Sequence, residues 1–123
     1  MLKILNIAAV FFLLNIAFAA AEEKLGISVY PGAKYDEVRT KLAKFSPTVE
    51  GAAYRTNDGI LKVVEFYRKQ GLLFLHVGDD SKERARFKKV DTNVDVIVQN
   101  PWRDSQTGST MKDTLILILK DQQ

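Results

Sequence analysis

Apolar side chains recur at intervals of three and four residues in two segments of the chain, which is the pattern of an amphipathic helix. The first segment predicts a helix near residues 35–45. The second predicts a helix over residues 60–69, with three residues at 56–58 that can cap its start and Gly71 in place for a left-handed C-terminal cap. The apolar positions are Tyr35, Val38, Leu42 and Phe45 in the first segment and Ile60, Val63, Val64 and Tyr67 in the second.

Four later segments have the apolar pattern of β-strands, and they cover residues 72–77, 84–90, 94–98 and 114–119. The second of these is ambiguous. Asp80 and Glu83 could form a capping box for a helix, while Ala85 and Phe87 alternate with basic residues as in a strand. We predict a strand, because a helix there would carry charge on nearly every side and could dock poorly.

The order of these elements predicts the fold class. Short extended segments at residues 26–30 and 51–55 precede the two helices, so the chain runs β-α-β-α and then through four strands. Because the last four strands are mostly joined by short links, we expect an antiparallel meander with both helices packed on one face of the sheet. This is a two-layer α+β domain. Residues 100–113 form the longest irregular connection, which is long for a hairpin.

The first 21 residues have the features of a secretory signal peptide. Lys3 gives a positive start, residues 4–18 are almost continuously apolar, and cleavage is expected after Ala19 or Ala21. The remaining residues, 22–123, suit one domain of about 100 residues with no transmembrane segment. The chain has no cysteine, which excludes disulfides and thiolate metal sites. We therefore expect a periplasmic or secreted bacterial protein.

Residues suited to catalysis are sparse. His76 is the single histidine, so a hydrolase arrangement would need a serine and an aspartate brought to it by the fold. The carboxylates show no metal-binding spacing and the glycines form no phosphate-binding pattern. We predict no catalytic residue, no metal site and no cofactor, and a small hydrolase is the third hypothesis for function.

One basic segment could bind an anionic ligand. The formal net charge of the chain is only +3, but Arg84, Arg86 and Lys88 alternate along the ambiguous strand and would share one face of it. They could bind a lipid head group or an acidic glycan. They could equally be a solvated face that keeps an exposed strand from pairing. Nucleic acid is not expected, because no aromatic residues interleave with the charges.

The irregular connection carries the only tryptophan of the chain. Trp102 stands among hydrogen-bonding side chains that include Arg103 and Thr107, an arrangement common at recognition sites. The same tryptophan could instead cap an open end of the core. The sequence alone does not distinguish between the two interpretations.

The last predicted strand is apolar on both faces, with Leu115, Leu117 and Leu119 on one side and two isoleucines on the other. Two helices on one face leave the leucines to be covered by a dimer partner, another periplasmic protein or a loop of the chain itself. The leading hypothesis is therefore an exported noncatalytic domain that uses its sheet for protein binding or self-association. The alternative is a binder of anionic ligands.

Three stretches together resemble small secreted bacterial proteins of uncharacterised function. They are Tyr30-Pro31-Gly32-Ala33, then Thr56-x-Asp58 leading to Val63-Val64-x-Phe66-Tyr67, and finally Gln99-Asn100-Pro101-Trp102. The resemblance covers most of the mature chain. It implies export and a single α+β domain, and it assigns no activity and no site.

Overall fold

A six-stranded antiparallel sheet is the main element of the fold. The computed structural model describes residues 22–75 and 83–122. In chain order, the elements of this part are β1 (Glu23–Lys24), β2 (Ile27–Ser28), β3 (Lys34–Tyr35), α1 (Glu37–Ala43), β4 (Val49–Thr56), α2 (Ile60–Arg68), β5 (Leu73–Leu75), β6 (Arg84–Lys89), β7 (Val94–Gln99), β8 (Trp102–Arg103), β9 (Thr110–Met111) and β10 (Thr114–Asp121).

The strands of the main sheet lie in the order β3-β4-β10-β7-β6-β5, and all neighbours are antiparallel. β4 and β10 pair along eight residues each, from Thr114 opposite Thr56 to Asp121 opposite Val49. The predicted α+β class with a mainly antiparallel sheet is confirmed. The strand at residues 84–90 is also confirmed as β6, in a meander that runs through β5, β6, β7 and β10.

Helix α2 covers one face of this sheet. Val63 and Tyr67 are fully buried and pack with the inward-facing side chains of β4, β6, β7 and β10, including Ile116 and Ile118. The apolar spacing of the helix is thus the spacing of its core contacts, as predicted. Burial of each such side chain is worth ~1.5 to 3 kcal/mol. The Tyr67 hydroxyl donates to the carbonyl oxygen of Ser28 at 2.9 Å, so the polar end of the ring is also satisfied.

The start of α2 differs from the prediction. Its N-cap is Gly59, which makes no side-chain capping bond, rather than one of residues 56–58. The Asp58 carboxylate instead accepts a hydrogen bond from the Tyr30 hydroxyl at 2.6 Å. This bond, together with burial and the negative charge of Asp58, raises the pKa of Tyr30 to about 12. Gly71 has φ +74°, in agreement with the predicted left-handed conformation after the helix.

Helix α1 does not share the face that α2 covers. It follows β3 at the edge of β4, where the Asp36 N–H donates to the Ala53 carbonyl at 2.9 Å and the Ala53 N–H donates to the Thr40 hydroxyl at 2.8 Å. Hydrogen bonds to a strand edge therefore position α1, and they also close that edge against other strands. The predicted apolar stripe of this helix points to solvent, with Phe45 82% exposed.

The segment predicted as a first strand at residues 26–30 lies outside the main sheet. β1 and β2 form a separate two-stranded hairpin, with Leu25 at φ +54° and Gly26 at φ +76° between them. The irregular connection at residues 100–113 contains a second hairpin, formed by β8 and β9. No described helix is long and apolar enough to cross a membrane.

Candidate functional site

The second face of the sheet is the face turned away from α2. Because side chains alternate along each strand, the register places three rows of four residues across it. These rows are Arg55-Leu115-Gln99-Arg84, Ala53-Leu117-Ile97-Arg86 and Gly51-Leu119-Asp95-Lys88, each read from β4 through β10 and β7 to β6. The leucines predicted as an interface thus form the centre of this face, with the predicted basic residues beside them on β6.

Trp102 covers one end of the leucine column. The hairpin of β8 and β9 folds back over the second face, and Trp102 is 6% exposed where it packs with Ala53 and Leu115. Its indole N–H donates to the Asp113 carboxylate at 3.1 Å. Of the two sequence interpretations, this position matches the cap on the core: a loop of the chain itself buries Leu115, while Leu117 and Leu119 stay partly exposed.

Two guanidinium groups lie over the Trp102 ring. The Cζ atom of Arg55 is 5.0 Å and that of Arg39 is 5.3 Å from the ring centroid, within the range of cation–π attraction. Arg55 also donates from Nε to Asp113 at 2.7 Å, and Arg39 forms an ion pair with Asp104. The cluster therefore ties α1, β4 and the β8–β9 hairpin together at one place.

The two carboxylates of this cluster stay ionised more readily than ordinary aspartates. Burial acts to raise the pKa of Asp113, but hydrogen bonds from Arg55 and Trp102 and the charge of Arg55 outweigh it and leave that pKa lowered. The pKa of Asp104 is lowered mainly by a hydrogen bond from the backbone N–H of Gln106, with the charge of Arg39 acting in the same direction. Each aspartate is therefore held as an anion beside an arginine.

The two arginine partners of Trp102 could not be found from the sequence pattern. Arg39 and Arg55 lie far from Trp102 along the chain, whereas Asp104 and Asp113 belong to the same irregular connection as Trp102. Only the pairing of β4 with β10 and the return of the hairpin bring them together. The presence of several hydrogen-bonding residues around Trp102 was the one signal available.

The predicted ligand-binding residues of the hairpin occupy different positions. Arg103 is exposed on β8 and lines a cleft of about 190 Å³ between α1 and the second face, together with Leu42, Ala43, Leu115 and Leu117. Thr107 is exposed in the turn of the hairpin, where its hydroxyl accepts a hydrogen bond from the Ser109 N–H at 3.2 Å. Thr107 thus contributes to the turn and not to the cleft.

The predicted basic residues share the second face, but one of them is neutralised. Arg86 makes two contacts with the Asp95 carboxylate, at 3.1 Å and 3.3 Å. Arg84 and Lys88 form no ion pair within residues 22–75 and 83–122.

His76, the basis of the hydrolase hypothesis, lies outside the described residues. In the described part of the chain, no group of three or more histidine, cysteine, aspartate or glutamate side chains could hold a metal ion.

The three stretches on which the resemblance rests are joined by hydrogen bonds. The Tyr30 hydroxyl donates to Asp58 at 2.6 Å and so links the first stretch to the second. The Thr114 hydroxyl accepts from the Asn100 amide at 2.9 Å and donates to the Asp58 carbonyl at 2.6 Å, which links the third stretch to the second.

Comparison of the chain with protein-family models, with curated proteins and with solved structures returned no match.

Proposed function

We propose that the protein is an exported, noncatalytic binding domain that uses the second face of its sheet for protein contact, and that a second copy of the chain is the partner. The observation that carries this proposal is the partly uncovered apolar centre of that face. Ile97, Leu117 and Leu119 lie side by side on β7 and β10, and neither α2 nor the β8–β9 hairpin buries them fully. Apolar surface of this kind is a common feature of interfaces.

The apolar surface continues from the sheet onto α1. Leu42 is 45% exposed and lines the same cleft as Leu117. It belongs to the stripe that also carries Val38 and Phe45, both of which are exposed. A continuous surface of sheet and helix gives a partner more apolar area than the three sheet residues alone.

Polar groups surround this apolar centre as they do in many interfaces. Arg103 lies at the cleft, and Arg84 and Lys88 stand on β6 at the side of the leucine column. Arginine is enriched at protein contacts because its guanidinium group can stack and form several hydrogen bonds. A two-fold symmetric dimer would place the same face on both copies, so no second protein is needed.

Sedimentation velocity over a range of protein concentrations tests the proposal. The unmodified protein should dimerise, and Leu42→Asp should shift it toward monomer, since a charge would be buried in the contact without a partner. Leu117→Lys should also shift the protein toward monomer, because Leu117 lies at the centre of the second face.

The matched control is Leu61→Asp, which changes an 81% exposed leucine on α2, on the other side of the sheet. This variant should dimerise like the unmodified protein. A protein that is monomeric at every concentration, or a dimer that Leu42→Asp and Leu61→Asp weaken equally, would contradict the proposal. Circular dichroism spectra of all variants show whether they keep the fold.

A further inference from the structure

We propose that the end of the domain formed by β5 and by the turn after β6 binds the surface of an anionic lipid bilayer. This site shares Lys88 with the polar border of the second face but does not use its apolar centre, and it does not rest on the proposed dimer. It moves the anionic-ligand hypothesis from the middle of β6 to the end of that strand, where lysines meet exposed apolar side chains.

The apolar part of the site is well exposed. Leu73 on the edge strand β5 is 52% exposed, and Val90 in the turn after β6 is 67% exposed. Both line a cleft of about 560 Å³ together with Leu72. Phe74, the next residue along the edge strand, is also exposed but points to the opposite face, where its ring lies 5.3 Å from that of Phe87. Large apolar side chains grouped at one end of a small domain indicate a contact surface.

Basic side chains line the same cleft. Lys88 lies directly opposite Leu73 in the β5–β6 ladder, and Lys88 and Lys89 both line the cleft. Neither lysine forms an ion pair with any residue of the described part, and the Lys89 ammonium group is 3.5 Å from the carbonyl oxygen of Gly26. Asp91 is the single carboxylate among the residues that line this cleft.

A second cation borders the edge strand. The Arg68 guanidinium group lies 5.0 Å from the centroid of the Phe74 ring, so another positive charge stands beside an exposed aromatic side chain. Arg68 and Phe74 lie on the α2 side of β5, and Leu73 and Lys88 lie on the other side, so each side of the edge strand carries a cation beside an exposed apolar residue.

A bilayer surface fits this combination better than a small soluble anion does. A small anion would contact the lysines and leave Leu73 and Val90 in water. At a bilayer, the ammonium groups can stay at the level of the phosphates while the apolar side chains enter the acyl boundary. Anionic lipids add an attraction for each basic residue near the surface.

Co-sedimentation of the purified protein with vesicles tests this proposal. Vesicles of phosphatidylglycerol and phosphatidylcholine should bind the protein, and vesicles of phosphatidylcholine alone should bind it much more weakly. Lys88→Gln should lower the binding constant about fivefold, the effect of one basic residue near an anionic surface. Val90→Ser should lower it about tenfold through the loss of apolar burial. Binding should also weaken as salt is raised.

Two variants on α2 serve as matched controls. Lys62→Gln removes a largely exposed lysine and Leu61→Ser an exposed leucine, both away from the cleft. These variants should bind like the unmodified protein. The proposal is overturned if anionic vesicles do not sediment the protein, or if Val90→Ser binds as well as the unmodified chain, which would mean attraction by charge alone. Equal losses in the control variants, or full competition by inorganic phosphate, would overturn it as well.

Discussion

At the residue scale, the surroundings of Trp102 show how burial and charge act on one side chain. The ring packs on Ala53 and Leu115, while its N–H donates to a carboxylate and two guanidinium groups lie over its face. Each arginine is in turn paired with an aspartate. The hairpin is thus fastened to the sheet both by apolar contact and by ion pairs that are largely shielded from water.

This arrangement predicts a loss of stability in acid that depends on Asp113. Its pKa is lower in the folded chain than in the unfolded chain, so its contribution to the free energy of unfolding is present above about pH 4 and is lost as the pH falls through the folded pKa. The free energy of unfolding, measured with urea, should therefore fall less between about pH 7 and about pH 3 for Asp113→Asn than for the unmodified protein.

A suitable control for that comparison is Asp91→Asn, because Asp91 is exposed and forms no ion pair among the described residues. This variant should show the same difference in free energy of unfolding between the two pH values as the unmodified protein. If Asp113→Asn also kept it, the ion pair with Arg55 would not contribute to stability.

At the element scale, the two helices are held by different forces. Helix α2 presents buried side chains to the core, whereas the single buried side chain of α1 is Thr40. The Thr40 hydroxyl accepts a hydrogen bond from the Ala53 N–H and donates one to the Asp36 carbonyl at 2.7 Å. One hydroxyl group therefore connects the helix to the edge of the sheet.

Replacement of that hydroxyl should destabilise the protein more than removal of apolar atoms from the exposed stripe. Thr40→Val keeps the shape but leaves the Ala53 N–H without its partner, which should lower the free energy of unfolding by ~1 to 3 kcal/mol. Val38→Ala, two residues away on the exposed side of the helix, should change it by less than about 0.5 kcal/mol.

Urea midpoints of the two variants give the comparison. A larger loss for Val38→Ala than for Thr40→Val would mean that the stripe of α1 is buried, as the sequence pattern first suggested.

At the scale of the whole molecule, the pairing of β4 with β10 joins the two halves of the chain. Gly51 makes this pairing possible, because a Cβ atom at that position would lie 2.2 Å from the carbonyl oxygen of Ile118 and 2.7 Å from the Cδ2 atom of Leu119. The backbone of β10 cannot move away from such a clash without separating from β4 or β7. The position is therefore restricted to glycine by close approach.

We expect Gly51→Ala to lower the free energy of unfolding by at least about 2 kcal/mol, in the manner of an overpacked core. Gly59→Ala is the matched control, since a Cβ atom there meets nothing within 4 Å. It should change stability by less than about 1 kcal/mol. Thermal unfolding followed by circular dichroism measures both, and similar small shifts for the two variants would refute the close approach.

The sequence predicted those features that depend on neighbouring residues. Helix α2 and strand β6 followed from local spacing, because the alternation of Ala85 and Phe87 with basic residues is itself the pattern of a half-buried strand. The spacing could not show whether the apolar stripe of α1 faces the core or the solvent. The same spacing of three and four residues produces a stripe on one side of the helix in both cases. The Trp102 cluster depends on residues such as Arg39 and Asp113 that only the tertiary fold brings together.

The position of β10 in the sheet has a consequence for the timing of folding. Until residues 114–121 are available, β4 and β7 lack the strand between them, and the core lacks Ile116 and Ile118. These contacts link distant parts of the chain, so the entropy of closing the intervening loops opposes their formation. A chain that emerges from its N-terminus would keep this sheet open until residues 114–121 have emerged. The topology thus makes closure of the sheet wait for β10, whichever of the other strands has formed before it.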